Sequence, residues 1–171
     1  MFRYIGTTSL NLSNFDTSNV TNMRGMFEAA KVTSLDLSHF KTSKVTNMAE
    51  MFDHTSSLQT LNLNGFDTSN VTEMYDMFLE LVNLEKLDIS NANSIYSYEF
   101  IENLPNLKEV IAVSSDIYSI ESFAKIPNLE KLDVSDNHIR DISLFDEKIK
   151  SGKMKSLIAS NQSIVLDRSF D

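Results

Sequence analysis

The chain has 171 residues, 42% hydrophobic and 23% charged, with a net charge of −9 and no cysteine. That length gives one domain with room for a real core. The acidic balance, without a basic block, argues against nucleic-acid binding. No apolar run approaches the length of a membrane span. The lack of cysteine excludes a disulfide framework, a thiolate metal site and a cysteine nucleophile. At the start of the chain, Phe2, Tyr4 and Ile5 read as the remnant of one more repeat unit.

From residue 7 the chain repeats itself. The stretch Phe15-Asp-Thr-Ser-Asn-Val-Thr-Asn-Met-Arg-Gly-Met-Phe27 returns as Phe40–Phe52 and again as Phe66–Phe78. Upstream of each copy stands a Leu-x-x-Leu-x-Leu pattern, whose central residue numbers the units: Leu10, Leu35, Leu61, Leu87, Val110, Leu132 and Leu157. The spacings are about 25, 26, 26, 23, 22 and 25 residues, inside the window of a leucine-rich repeat. Alternating apolar residues predict one short strand per unit, stacked into a parallel sheet because a single unit cannot bury its own apolar face. The expected fold class is therefore α/β: a right-handed solenoid of about seven units, with the sheet on the concave side and short helices or turns on the convex side.

In units 1–3 the return limb carries Met23, Met26 and Phe27, then Met48, Met51 and Phe52, then Met74, Met77 and Phe78. Their i, i+3, i+4 spacing predicts one face of a helix, with Thr21, Thr46 and Thr72 as N-caps. Phe15, Phe40 and Phe66 are expected to stack in register where most such repeats hold an asparagine. From about residue 81 the period shortens. Ile95, Tyr98 and Ile101, then Ile117, Ile120 and Phe123, then Ile139, Ile142 and Phe145 supply the return limbs, and Asn137 is the usual asparagine. Pro105 and Pro127 introduce the strands that follow them. Asp146–Lys155 reads as a helix, and Leu157–Leu166 as a strand, a turn and one more strand that would cover the end of the stack.

Residues 7–80 resemble the short repeat of BspA-like bacterial surface proteins. Residues 81–145 resemble internalin-type leucine-rich repeats, and Ala159–Leu166 is similar to the segment that closes internalin arrays. The resemblance divides one continuous solenoid into BspA-like repeats (1–80), internalin-type repeats (81–145) and a capping segment (146–171). It implies a secreted or wall-anchored surface protein of a Gram-positive bacterium that binds other macromolecules. The signal peptide, helical N-terminal cap and sorting signal of such proteins are missing from this sequence. The expected location is thus extracellular or cell-wall-attached if the chain is cut from something longer, and cytoplasmic if it is complete.

Side chains flanking the buried strand position face outward. Their central column is Asn11, Asp36, Asn62, Asp88, Ile111, Asp133 and Ile158, polar in the first half and more varied in the second. Ile111 and the nearby Val113 are apolar where the pattern expects polar residues. Tyr96, Tyr118 and Arg140 each follow a buried isoleucine in one column just past the strand. Aromatic and arginine side chains are favoured binding anchors. The candidate contact patch is therefore Tyr96, Ile111, Val113, Tyr118 and Arg140, with Lys86 and Lys131 at its rim. The alternative is that the tyrosines lie flat and merely cover the core. His39, His54 and His138 sit in different units at different repeat positions, and Lys41 interrupts the series Asp16, Asp67. No catalytic, cofactor-binding or metal-binding residue is expected, and no enzyme. The expected function is protein recognition, in adhesion or contact with a host or bacterial partner, with a protein or a glycan as ligand. The rivals are a passive stalk displaying another domain and an intracellular inhibitor or immunity-type binding protein.

Overall fold

The computed structural model describes residues 1–92, 95 and 97–163. Six strands, β1 (Ser34–Asp36), β2 (Thr60–Asn62), β3 (Lys86–Asp88), β4 (Glu109–Ile111), β5 (Lys131–Asp133) and β6 (Ser156–Ile158), form one parallel sheet in chain order. The register places Leu35, Leu61, Leu87, Val110, Leu132 and Leu157 side by side. The repeat alignment read from the sequence is therefore the physical register. In β1 to β5 the central residue is buried and its two neighbours face out, as a period of two requires. The buried residues of successive units join into one apolar column running the length of the stack. This is an α/β leucine-rich-repeat solenoid.

Unit 1 forms no strand, contrary to the sequence expectation. Leu12 is buried, but Leu10 is only half covered. Among the described residues this segment pairs on the unit 2 side, where Thr33 N–H donates to the Thr8 carbonyl at 3.0 Å. Phe2 and Tyr4 donate backbone N–H bonds to the Met26 and Glu28 carbonyls, each at 2.8 Å, so the remnant unit expected there is in place.

The return limbs of units 1–3 are not helices. Met23, Gly25, Phe27 and Ala29 donate their N–H groups sideways to the carbonyls of Asn47, Ala49, Met51 and Asp53 in the next unit. The intervening Met26, Glu28 and Ala30 donate back three residues within their own limb. Unit 2 repeats this onto unit 3, with Met48, Glu50, Phe52 and His54 reaching Glu73, Tyr75, Met77 and Leu79. A helix would consume every N–H internally. Here alternate groups build a second lateral ladder, which requires left-handed residues at Gly25 and Ala29, Glu50 and His54, Asp76 and Glu80. The Met-Met-Phe spacing fits this run of turns as well as it fits a helix, so spacing alone does not separate them.

The threonines expected as caps serve the ladder instead. Thr46 and Thr72 donate side-chain bonds to the carbonyls of Thr21 and Thr46, each at 3.2 Å. In units 1 and 2 the turn is capped by the residue after the threonine: Asn22 accepts from Arg24 N–H and Asn47 from Ala49 N–H.

The stacked rings are also a different set from the one expected. Phe15 is part exposed, while Phe40 and Phe66 are buried singly in the core. The spine is Phe2, Phe27, Phe52, Phe78 and Phe100, with successive centroids 5.5, 5.7, 6.0 and 4.1 Å apart. Buried threonines stitch the loops of the first units. Thr17 exchanges bonds with the Lys41 backbone, and Thr42 accepts from Asp67 N–H. In unit 6 Asn137 does this alone: it accepts from Ser115 and Ile117 N–H and donates to the Ala112, Val134 and Ser135 carbonyls.

Helices are short and confined to the second half: α1 (Glu121–Lys125), α2 (Asp146–Lys150) and single 3-10 turns at Glu99–Asn103 and Ser143–Phe145. The expected helix over 146–155 ends early, because the chain turns at Gly152 with φ +71. Ile142, expected in the core, is 41% exposed, unlike its buried counterpart Ile120. The end of the expected strand–turn–strand segment Leu157–Leu166, from residue 164, lies outside the described residues.

Candidate binding surface

The outward column of the sheet divides in two. In β1, β2, β3 and β5 its Asp or Asn side chain turns back on its own loop. Asp36 accepts from Ser38 N–H at 3.0 Å, Asn62 from Asn64 N–H at 3.0 Å, Asp88 from Ser90 N–H at 2.9 Å and Asp133 from Ser135 N–H at 3.0 Å. These are Asx-turns, which hold the backbone where the strand ends. The Ser38 hydroxyl and N–H keep the Asp36 carboxyl below the usual carboxylate range. The polar column is spent on the fold.

Units 5 and 7 break this rule. Ile111 has no oxygen to offer its loop, and Val113 N–H is served instead by the Ser90 hydroxyl of the preceding unit at 3.2 Å. Ile111 and Val113 are half-buried, and Ile158, in the same column two strands on, is 45% exposed. Apolar surface on the sheet face thus flanks Asp133 on both sides. Beside it Glu109 bridges Lys86 at 2.6 Å and Lys131 at 3.3 Å. The Lys86 hydrogen bond chiefly, with Lys131 adding to it against the cost of burial, lowers the Glu109 pKa. The two rim lysines are therefore held on one shared carboxylate across three strands, which leaves the triad with one net positive charge.

Tyr118 stands apart from the strand group, on the loop after β4. It is 68% exposed, and its ring lies stacked on His138 with centroids 4.7 Å apart. His138 is fixed in turn by the Ser163 carbonyl at 3.0 Å and by Asp116 at 3.5 Å. Arg140 is exposed two residues beyond His138. Tyr96 lies outside the described residues. The structure thus resolves the candidate patch into a strand group (Lys86, Ile111, Lys131), a loop group (Tyr118, Arg140) and Val113 at the turn between them.

Two members were missed from the sequence. Ile158 shares the Ile111 column and carries the same signal. His138 falls 22 residues after Asp116, one repeat step, which places both beside Tyr118. Tyr98 is half-buried against the core: its hydroxyl donates to the Ser115 carbonyl at 3.0 Å, and burial, with the Asp116 charge, pushes its pKa up to about 12.

The three histidines engage separate partners: His39 the Leu12 carbonyl, His54 the Asp53 carboxylate, and His138 those named above. Among the described residues no three His, Cys, Asp or Glu side chains gather as a metal site. Among the same residues no helix is long and apolar enough to cross a membrane.

Solved structures share this architecture. An internalin (inlF) from Listeria monocytogenes aligns with 78% of the chain at 16% identity and a TM-score of 0.51. TLR13, solved in complex with ssRNA13, aligns with 89% of it at 26% identity and a TM-score of 0.50. The chain spans 43% of that internalin and 25% of that TLR13 chain. No curated protein matches its sequence. A family model matches residues 1–111, the Phe-Asp-Thr-Ser repeats together with units 4 and 5 as far as the end of β4. The chain belongs to the family described as "Mycoplasma protein of unknown function, DUF285".

Proposed function

We propose that this chain is the protein-recognition repeat region of a bacterial cell-surface protein, acting in adhesion or in contact with a host or bacterial partner, and that its contact face lies in units 5–7. The observation that carries the reading is the exposed Tyr118 ring already held against His138. A pre-positioned aromatic loses little freedom on binding, and such rings make strong anchors. Ile111, Val113 and Ile158 add apolar area on the sheet face, and Arg140, Lys86 and Lys131 add polar and charged edges. Tyr96 belongs to the same repeat column as Tyr118. The surface location and the BspA-like and internalin-type assignments rest on the repeat motifs. The net charge of −9 opposes a phosphate backbone, so a protein is favoured over the RNA that the TLR13 structure contains.

The test is an array of host ectodomains, bacterial surface proteins and glycans probed with the chain and with a Tyr118→Ser/Ile158→Ser double variant. Both side chains are exposed, so the variant keeps its thermal midpoint. Expected is saturable binding to a protein that the double variant loses. A glycan as the bound partner, or unchanged binding by the variant, rejects the reading. Units 1–4 suit a second role as a spacer, favoured by the Asx-turns that occupy their outward column.

A further inference from the structure

Between the return limbs of units 3 and 4 lies a cavity of about 730 Å³, within the range of small-molecule sites. It opens where the repeat changes type. The step from Leu61 to Leu87 is 26 residues and the next, to Val110, is 23. Ala92 also stands at the repeat position that Phe66 fills one unit earlier, a methyl in place of a ring. Among the described residues, the shorter step and the smaller side chain leave the space open. Met74, Met77, Phe78 and Phe100 line the interior. The cavity opens to solvent, so a ligand can enter it and displace water from the apolar lining.

The described lining holds three carboxylates, Asp76, Glu80 and Glu99, and no lysine or arginine. All three side chains are exposed. Among the described residues none of the three carboxylates has an ion-pair or hydrogen-bond partner, whereas Glu28, Glu50, Glu85, Glu102, Glu109 and Glu130 are each bridged to a basic side chain. Asp76 and Glu80 occupy two of the left-handed positions of the limb, φ +55 and +59. An apolar interior rimmed by unpaired negative charge and floored with aromatic rings matches one ligand chemistry. We propose that this cavity binds a small amphiphilic cation, an apolar body carrying an ammonium or guanidinium head. The body fills the space beside Met74 and Phe100, and the head meets Asp76, Glu80 and Glu99, with the phenyl faces adding cation–π attraction. The site is separate from the patch around Tyr118 and stands or falls without it.

The eight methionines supply the readout. In the full chain carrying 13C-methyl methionine, 4-phenylbutylammonium should shift the Met74 and Met77 methyl signals saturably and leave Met23 and Met48 in place. Its uncharged counterpart 4-phenylbutanol and the anion 4-phenylbutyrate should bind at least ~10-fold more weakly, the margin expected when a charged head gains or loses a charged rim. Asp76→Asn/Glu80→Gln/Glu99→Gln changes exposed side chains only, should keep the thermal midpoint, and should weaken the cation by ~5-fold or more. No saturable shift at Met74 and Met77, equal binding of the three probes, or unchanged affinity in the triple variant would each overturn the proposal.

Discussion

Asn137 shows how much one side chain can hold. It is fully buried, with both ends of its amide saturated by five backbone groups. Replacing it by alanine strands several of these in a dry loop, where each unmet group costs about 1–3 kcal/mol. Asn137→Ala should therefore lose at least ~3 kcal/mol in urea titration, since not every group finds water. Ala29 makes the opposite case. It sits at φ +52, where a Cβ is strained and glycine is not. Ala29→Gly should stabilise the chain by roughly 0.5–1 kcal/mol, seen as a raised thermal midpoint. Asp16 accepts from the N–H and hydroxyl of Ser18, and Asp67 from the hydroxyl and N–H of Ser69, which places their carboxyl pKa values, like that of Asp36, below the ordinary range. A depressed folded pKa contributes stability that is whole above the unfolded value and is lost as pH falls through the folded one. The unfolding midpoint should stay level down to about pH 5 and drop below about pH 4. A midpoint that rises on acidification would contradict this. Asn137 was legible in the sequence because its role follows from its place in the repeat. The Asx-turns were not, because an outward Asp on a strand reads the same whether it faces a partner or its own loop.

The return limb is the element whose form the sequence left open. Met23, Met26 and Phe27 point inward in either a helix or a run of turns, so side-chain spacing is silent. The distinguishing residues are those between them, Gly25 and Ala29 with their counterparts, and only Gly25 advertises a left-handed backbone by its identity. The neighbouring unit decides: a limb that can donate alternate N–H groups sideways need not close them internally. The phenylalanine spine follows from the same packing. Phe52 lies between Phe27 and Phe78, fully buried. Phe52→Ala should cost about 3–5 kcal/mol by the usual measure of a large core truncation. Phe40→Ala, a ring buried outside the spine, should not exceed it. Phe2 and Phe100 were hard to assign beforehand because each stands in a unit whose motif is incomplete.

At the scale of the molecule, register was the most legible property: seven spaced hydrophobic anchors number the units, and six of them form the sheet. The proposed contact face was less so. Which of two outward-facing columns is free depends on what each side chain does next, and a stretch of sequence does not state that. The change in repeat length left its trace in the shortened period and in Ala92, yet the cavity beside it depends on how two limbs of unequal length lie against each other.

The paired ladders have a mechanical consequence. Sheet bonds and return-limb bonds both run along the axis of the stack, from each unit to the next. Tension applied through the two ends therefore loads these rungs in series rather than side by side, and the units detach one after another. Each released unit of some 25 residues would lengthen the chain by roughly 80 Å. In a single-molecule pulling experiment the molecule would yield at low force in a sawtooth of near-equal steps. A body extended in this way gives ground gradually when what it holds is pulled away.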